Sequence, residues 1–208
     1  FAQSWLDHGF AYMSVNYRGS TTFGRTFREA IWGDLGHKEV DDMATARQWA
    51  IEQGIADPKR VFVTGGSYGG YLTLMALGKE PALWCGGIAL VAMADLLVDY
   101  EDSSEALRAA KRNWMLGTPE ERPEAYRRSS PITYAEHIKA PLLVIQGEND
   151  TRCTPRQMRL YEEKLKSLGK EMEVVWFNAG HGMMNMSQVI GFQEKSLEFA
   201  YRVLQKGS

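Results

Sequence analysis

Short apolar runs with the composition of β-strands alternate along this chain with stretches of helical periodicity. The strand-like runs cover residues 11–17, 60–64, 87–91, 141–147 and 173–177. Between the first two of them, Val40, Met43 and Ala50 recur at helical offsets. Buried strands that alternate with helices form a mostly parallel sheet with helices on both faces, joined by right-handed crossovers. The alternation therefore predicts an α/β fold.

The later helices have more specific signals. Thr154, Pro155 and Gln157 have the spacing of a helix start with a capping box, and Gly169 marks the end of that helix. A last helix is predicted from four apolar residues that share one face: Val189, Phe192, Phe199 and Val203. The segment 95–128 is polar and lacks a clean period, so we predict short helices and loops inserted between two strands.

Composition limits the class of protein. The 208 residues fit one domain spanning residues 1–208, and 44% hydrophobic with 24% charged residues is typical of a globular chain. The net charge of −2 gives no basic surface for nucleic acid or an anionic membrane, and no apolar run reaches the ~20 residues of a membrane helix. Cys85 and Cys153 have no metal or redox spacing, so we expect free thiols in a reducing cytoplasm. The chain begins at Phe1 inside a helix pattern, without an initiator Met or signal peptide, so we expect it to be part of a longer protein.

The sequence around Ser67 carries the most chemical information. Gly65, Ser67 and Gly69 form a G-x-S-x-G pattern between a strand-like run and a helical run. That context is required for a nucleophile elbow, in which the serine lies on a strained strand-to-helix turn and the helix N-terminus favours developing negative charge. The alternative is a glycine-rich turn in which Ser67 only caps the helix. A phosphate-binding loop is excluded because Tyr71 follows the glycines where a lysine is required.

A serine nucleophile needs a base, and His181 is the best candidate. In hydrolases with this elbow the chain order is serine, acid, histidine, each after a later strand. His181 follows the strand-like run 173–177 and lies between two glycines. His137 precedes a strand, whereas His8 and His37 precede the serine. The alternative for His181 is a solvated loop histidine.

The acid that orients the histidine is expected after the run 141–147. Asp150 and Glu148 are both carboxylates in the loop that follows this run. We favour Asp150 because it has more reach toward a neighbouring loop, and Glu148 remains open. Asp95 and Asp99, which follow the preceding strand, are more distant alternatives.

Several motifs together resemble the prolyl oligopeptidase family of serine peptidases, and most closely its acylaminoacyl-peptidase and dipeptidyl-peptidase branches. The motifs are Asn16-Tyr17-Arg18-Gly19-Ser20, Gly33-Asp34 with Glu39-Val40-Asp41-Asp42, Gly65-Gly66-Ser67-Tyr68-Gly69-Gly70-Tyr71, Gly147-Glu148-Asn149-Asp150 and Gly180-His181-Gly182. The resemblance implies the α/β-hydrolase fold and a triad of Ser67, Asp150 and His181. It thereby supports Asp150 over Glu148.

The resemblance also implies features outside this chain. In that family one oxyanion-hole donor is the backbone N–H after the nucleophile, here that of Tyr68, and a segment before Phe1 supplies the other. A β-propeller precedes the hydrolase domain and restricts access to its site. The propeller and the first strands of the sheet are missing from this chain, so we expect it to be inactive alone unless that part is supplied.

Candidate pocket residues follow from the same resemblance. Because the segment after residues 87–91 passes beside the nucleophile in that family, Met93, Leu96 and Tyr100 are expected to line an apolar pocket, with a contribution from Tyr71. Ordinary core packing is the alternative for each. Arg152 and Cys153 follow the acid closely and are expected near the site. Arg152 would hold a substrate carbonyl or carboxylate, or form a surface salt bridge.

The expected reaction is hydrolysis of short or N-terminal peptide substrates through an acyl-enzyme, which needs no metal or cofactor. An esterase that uses the same triad and a non-catalytic scaffold are the alternatives. By analogy with the family, a homo-oligomer is also expected.

Overall fold

Four parallel strands form the centre of this computed structural model, which describes residues 2–182 and 185–206. The strands are β1 (Phe62–Gly66), β2 (Gly86–Leu90), β3 (Leu142–Gly147) and β4 (Met172–Phe177). The helices are α1 (Ala2–Asp7), α2 (Arg25–Glu29), α3 (Lys38–Glu52), α4 (Tyr68–Lys79), α5 (Leu96–Asp102), α6 (Glu105–Met115), α7 (Pro123–Arg128), a 3₁₀ helix (Pro131–His137), α8 (Pro155–Ser167) and α9 (Met186–Lys206). None of these helices is both long and apolar enough to cross a membrane.

The strands pair in the order in which they occur in the chain, β1-β2-β3-β4. In register, Val63 lies opposite Gly87, Ala89 opposite Val144, and Val144 opposite Val174. Every residue of β2 and β3 is buried because these two strands lie in the middle of the sheet. Since all four strands run in one direction, their carboxyl ends lie at one edge, and the loops that follow them meet there.

Helices cover both faces of the sheet, as predicted. Leu142 and Val144 of β3 pack in a cluster with buried residues of α4 and α8, whereas Leu143 and Ile145 pack with α9 and with Trp5 of α1. Adjacent residues of a strand point to opposite faces, so β3 contributes to both clusters. Full burial of each such aliphatic side chain stabilises the fold by about 1.5–3 kcal/mol.

The strand predicted at residues 11–17 is wrong. These residues have no strand ladder, and Tyr12 and Met13 are 40% and 46% exposed. A strand is stable only where a neighbour accepts and donates its backbone hydrogen bonds. β1 is the end strand of the sheet, and no described strand lies on its outer side.

The capping box predicted at α8 is also wrong, although the helix begins at Pro155 as expected. Thr154 is the N-cap residue but makes no side-chain cap hydrogen bond. Gln157 instead points into the core, where its Oε1 accepts from the N–H of Ala94 and its Nε2 donates to the carbonyl of Ala92 at 3.0 Å. The backbone beyond the end of β2 has no strand partner, so a buried side chain satisfies it.

In α9, Phe192, Phe199 and Val203 form a buried face, but Val189 is 42% exposed, contrary to prediction. Cys85 and Cys153 are free thiols, half-buried and buried respectively.

Candidate active site

Ser67 lies at the junction of β1 and α4 in a strained backbone conformation. Its φ is 56° and its ψ is −117°, which non-glycine residues rarely adopt. Two hydrogen bonds hold the turn: the N–H of Ser67 donates to the carbonyl of Leu90, and the N–H of Tyr71 donates to the carbonyl of Ser67, both at 2.9 Å. The side chain is therefore presented at the carboxyl edge of the sheet, on the sharp turn that the glycine pattern predicts.

The glycines around Ser67 have different roles. A Cβ at Gly65 would lie 2.5 Å from the carbonyl carbon and oxygen of Gly69, and one at Gly70 would lie 2.7 Å from the carbonyl oxygen of Leu90. A Cβ at Gly69 would meet nothing within 4 Å. Close approach of two backbone segments therefore requires glycine at 65 and 70, but not at 69.

We expect Gly65→Ala to lower the free energy of unfolding by about 3 kcal/mol or more, because rigid backbone has to move to make room for the methyl group. Gly69→Ala is the matched control, since it changes the same motif inside a helix and meets no atom. It should leave stability unchanged or raise it by up to about 1 kcal/mol. Urea unfolding of both variants measures the difference, and equal destabilisation would contradict this account of the turn.

Three side chains from different loops form a chain of hydrogen bonds at this edge. The Nε2 of His181 lies 2.8 Å from Ser67 Oγ, and its Nδ1 lies 2.8 Å from Asp150 Oδ2. The Asp150 side chain is fully buried and that of His181 is 15% exposed. Asp150 follows β3 and His181 follows β4, so the parallel sheet brings both loops toward the serine. This geometry has the order nucleophile, base and orienting acid.

The Asp150 carboxylate is also held by backbone N–H groups of the loop after β3. Its Oδ1 accepts from the N–H groups of Arg152 at 2.8 Å and Cys153 at 3.0 Å. Glu148, the alternative acid, is exposed, and its N–H donates to the carbonyl of Phe177. The structure thus brings Asp150 rather than Glu148 to His181.

The remaining alternatives lie elsewhere. His8 contacts Tyr201, His37 contacts Lys79, and His137 is at the end of the 3₁₀ helix. Asp95 caps α5 by accepting from the N–H groups of Leu97 and Val98. Asp99 forms an ion pair with Lys111.

Tyr68, whose N–H is the expected oxyanion donor, is the first residue of α4. The N–H groups of the first helical turn have no acceptor within the helix, and the helix dipole adds partial positive charge there. The Tyr68 side chain is anchored by a hydrogen bond of 2.5 Å from its hydroxyl to Glu39 Oε1. Burial raises the pKa of Tyr68 well above its usual value, so the hydroxyl stays protonated as the donor.

Glu39 is a completely buried carboxylate that reasoning from the residues alone did not single out. Its carboxylate also accepts from the N–H of Gly36, which lies 3.1 Å from both oxygens. Burial raises the pKa of Glu39, and the hydrogen bonds from Tyr68 and Gly36 oppose that rise. Glu39 belongs to a motif that the sequence shows, but only the fold reveals that its carboxylate contacts Tyr68, the residue after Ser67.

We expect Glu39→Gln to be more stable than the wild type at neutral pH, because the neutral amide still accepts from Tyr68 and carries no buried charge. A carboxyl whose pKa is raised on folding destabilises the fold above that pKa, and the effect disappears as pH falls below the ordinary pKa of glutamate. The advantage of the variant should therefore shrink as the solution is acidified. Urea unfolding over a pH series measures it.

Glu29→Gln is the control, because the pKa of Glu29 is shifted in the direction opposite to that of Glu39. Hydrogen bonds from Arg28 and Arg25 lower the pKa of Glu29. Its charge therefore favours folding at neutral pH, and the variant should not be more stable than the wild type there. A gain in stability for both variants at neutral pH would contradict the assignment of a buried charge to Glu39.

A small apolar cavity of about 20 Å³ lies beside the elbow, with room for about one water molecule. Of the candidate pocket residues, Tyr71, Met93 and Leu96 line it. Trp114, which is not among the residues predicted for the site, also lines the cavity and is 43% exposed. Trp114 is one aromatic residue in a mostly polar helix, and the sequence alone does not distinguish such a residue from an ordinary surface residue.

The other three pocket candidates do not line this cavity. Tyr100 packs edge-on against the ring of Tyr126. Arg152 is exposed, and its backbone N–H, rather than its guanidinium, contacts Asp150. The buried Cys153 thiol lies against the Ser67 hydroxyl, and burial raises the pKa of Cys153.

Possible metal ligands among the described residues meet at one place, where atoms of Asp150, Cys153 and His181 lie within 4.8 Å of one another. The Asp150 and His181 atoms in this group already bond to each other. We therefore assign these three residues to the hydrogen-bonded site around His181 rather than to a metal site.

Comparisons with known proteins identify the family of this chain. The pattern of the prolyl oligopeptidase family matches residues 1–207. The chain is 36% identical over 189 residues to dipeptidyl aminopeptidase BIII of Pseudoxanthomonas mexicana, covering 86% of this chain and 27% of that protein. It is 30% identical over 183 residues to the acylamino-acid-releasing enzyme of Arabidopsis thaliana, covering 81% and 23%. The crystal structure of puromycin hydrolase superposes with a TM-score of 0.86 at 30% identity, covering 92% of this chain and 29% of that one.

The chain thus spans about a quarter of the length of the curated relatives it matches. The family pattern extends over nearly all of its residues, and the solved neighbour shares its parallel sheet with helices on both faces. This chain belongs to the prolyl oligopeptidase family and has the α/β-hydrolase fold.

Proposed function

We propose that this chain carries the catalytic site of a serine peptidase, with Ser67 as nucleophile, His181 as base and Asp150 as the orienting acid. The observation that carries the proposal is the continuous chain from Ser67 Oγ through the two ring nitrogens of His181 to Asp150, with both steps at 2.8 Å. Such distances suit proton transfer between nucleophile and base.

Ser67 Oγ attacks the scissile carbonyl while His181 Nε2 takes its proton, and a tetrahedral oxyanion forms. The N–H of Tyr68 at the start of α4 donates to that oxyanion, and we propose a second donor from the part of the protein that precedes Phe1. His181 then gives its proton to the leaving amine, and the acyl-enzyme remains. A water molecule repeats the cycle, with His181 as base, and releases the acid product.

Asp150 stays ionised throughout and stabilises the imidazolium through Nδ1–H. The Arg152 and Cys153 N–H groups bind Oδ1 and so fix the orientation of the carboxylate, whose Oδ2 is 2.8 Å and whose Oδ1 is 3.1 Å from His181 Nδ1. No step requires a metal or an organic cofactor.

The substrate class that we propose is a short peptide, or an N-terminal unit of a peptide. Two of the chain's relatives are named as a dipeptidyl aminopeptidase and an acylamino-acid-releasing enzyme. We propose that a propeller and further hydrolase strands of the same protein complete the site. A cytoplasmic location and a homo-oligomer remain predictions.

The experiment uses the full-length protein. A fluorophosphonate probe should label Ser67, as identified by mass spectrometry of the modified peptide. Aminoacyl and N-acyl-aminoacyl p-nitroanilides should then be cleaved. Efficient turnover of p-nitrophenyl esters without turnover of any anilide would reject the peptidase in favour of an esterase. Absence of label at Ser67 in a folded full-length protein would reject both and favour a non-catalytic scaffold.

A further inference from the structure

Asp99 and Lys111 form a buried ion pair on the inner side of the helical insertion between β2 and β3. The Asp99 side chain is fully buried and that of Lys111 is 11% exposed. Lys111 Nζ contacts Asp99 Oδ2 and also donates to Ser103 Oγ at 2.6 Å and to the carbonyl of Asp99 at 3.3 Å. Lys111 is also one of the residues that line the small cavity next to Tyr68 and Tyr71.

The second oxygen of Asp99 holds the loop that carries the candidate acid. Asp99 Oδ1 accepts from the N–H of Thr154 at 3.0 Å. The preceding residue, Cys153, donates its N–H to Asp150 Oδ1, and its carbonyl accepts from Gln146 Nε2 at 3.0 Å. Asp99 is therefore joined to Asp150 through two successive backbone N–H groups, although the two carboxylates come from different elements.

A buried ion pair is a poor source of net stability, because the lost hydration of two charges offsets most of their attraction. Burial raises the pKa of Asp99, and the Lys111 charge opposes that rise. Lys111 thus favours the ionised carboxylate with both oxygens available as acceptors. The loop from Asp150 to Thr154 keeps one conformation only if the N–H of Thr154 has an acceptor in a fixed position, and Asp99 Oδ1 is that acceptor.

We infer that Asp99, held by Lys111, is a positioning residue that fixes Thr154 and thereby the loop that aims Asp150 at His181. The inference rests on the proposed function. In this role Asp99 does not contact the substrate. It is also distinct from the acid of the triad, for which the sequence alone had left Asp99 as an alternative to Asp150.

Two double variants of the full-length protein test the acceptor directly. Asp99→Asn with Lys111→Met removes both charges but keeps an oxygen for the N–H of Thr154. Asp99→Leu with Lys111→Met removes the charges and the oxygen at similar volume. We expect kcat of the first variant to stay within about threefold of the wild type. In the second we expect kcat to fall by ~10²-fold with little change in KM, since a misplaced catalytic group can have an effect of that size.

The pH profile separates positioning from general damage. Among residues 2–182 and 185–206, the groups that face the His181 ring are Asp150, the Cys153 thiol and the Ser67 hydroxyl. If Asp150 no longer meets His181, the imidazolium loses its partner. The acidic limb of kcat/KM should then move to lower pH in the leucine variant and stay unchanged in the asparagine variant.

Thr154→Pro removes the same hydrogen bond from the other side, because proline lacks the N–H and the φ of −64° at this position suits it. It should lower kcat as the leucine variant does. Arg156→Met is the matched control: Arg156 joins α8 to α5 through Glu101 and Asp102, but at the exposed surface, and its loss should leave kcat unchanged.

Equal kcat and equal pH profiles in the two double variants would overturn the inference, as would an equal loss in both. Failure of both the leucine variant and Thr154→Pro to fold, checked by thermal unfolding, would show a structural role and would also overturn it. The proposed function is judged separately: if the wild type reacts with the fluorophosphonate and Ser67→Ala does not, the catalytic assignment stands whatever Asp99 does.

Discussion

Replacing Ser67 with alanine in the full-length protein is expected to lower kcat on peptide anilides by about 10⁶-fold, the size of effect seen when a triad nucleophile is removed. The change deletes one oxygen, which forms the bond to the substrate in the proposed mechanism and contacts His181 Nε2 at 2.8 Å. The turn should survive, since alanine and serine have the same backbone requirements at a φ of 56°. Steady-state kinetics and loss of fluorophosphonate labelling measure the effect.

Ser187→Ala is the control for this substitution. Ser187 is an exposed serine near the start of α9, and its replacement should leave both kcat and labelling unchanged. Thermal unfolding of both variants checks that the fold is intact. A folded Ser67→Ala protein that keeps more than about a hundredth of the wild-type kcat would remove Ser67 from the mechanism, because the hydrolysis would then use another nucleophile.

Asp150→Asn is expected to lower kcat by about 10⁴-fold with an intact fold. Asparagine preserves the acceptor for the N–H groups of Arg152 and Cys153 but loses the charge that stabilises the His181 imidazolium. It also presents an amide donor or a neutral oxygen to Nδ1, so the histidine can adopt the tautomer that cannot take the serine proton. Kinetics at several pH values, with labelling rates, measure the loss.

Glu148→Gln is the matched comparison, because Glu148 lies two residues before Asp150 in the same loop but is exposed. We expect less than a threefold change in kcat. If Glu148→Gln were the more damaging of the two, the acid would have to be reassigned, and the observed Asp150–His181 contact would have no catalytic meaning.

The sequence was sufficient to predict the parts of the fold that depend on local patterns. The runs that became β1 to β4 are short, apolar and bounded by turn residues, and Pro155 correctly marked the start of α8. The residues that meet at Ser67 could be predicted because parallel strands place their following loops at one edge. Chain order and strand position then selected His181 among four histidines.

The sequence could not predict features that depend on contacts between residues distant along the chain. The run 11–17 has β-strand composition, but composition does not reveal whether a neighbouring strand exists. Gln157 fits a capping box by its spacing. In the structure its side-chain amide instead forms hydrogen bonds with the backbone beyond β2, which has no strand partner. The pairs Tyr68–Glu39 and Thr154–Asp99 join residues 29 and 55 positions apart, and no spacing rule connects them.

The parallel order of the sheet also sets when the candidate site can form during folding. Pairing β2 with β3 closes a loop of about fifty residues, and such distant contacts make folding slow. Ser67, Asp150 and His181 follow β1, β3 and β4, so their hydrogen bonds cannot close before the last strand has joined. In refolding from urea, recovery of reactivity at Ser67 should therefore lag behind the recovery of helical circular dichroism. The time between the two signals would report how long the chain takes to complete its sheet.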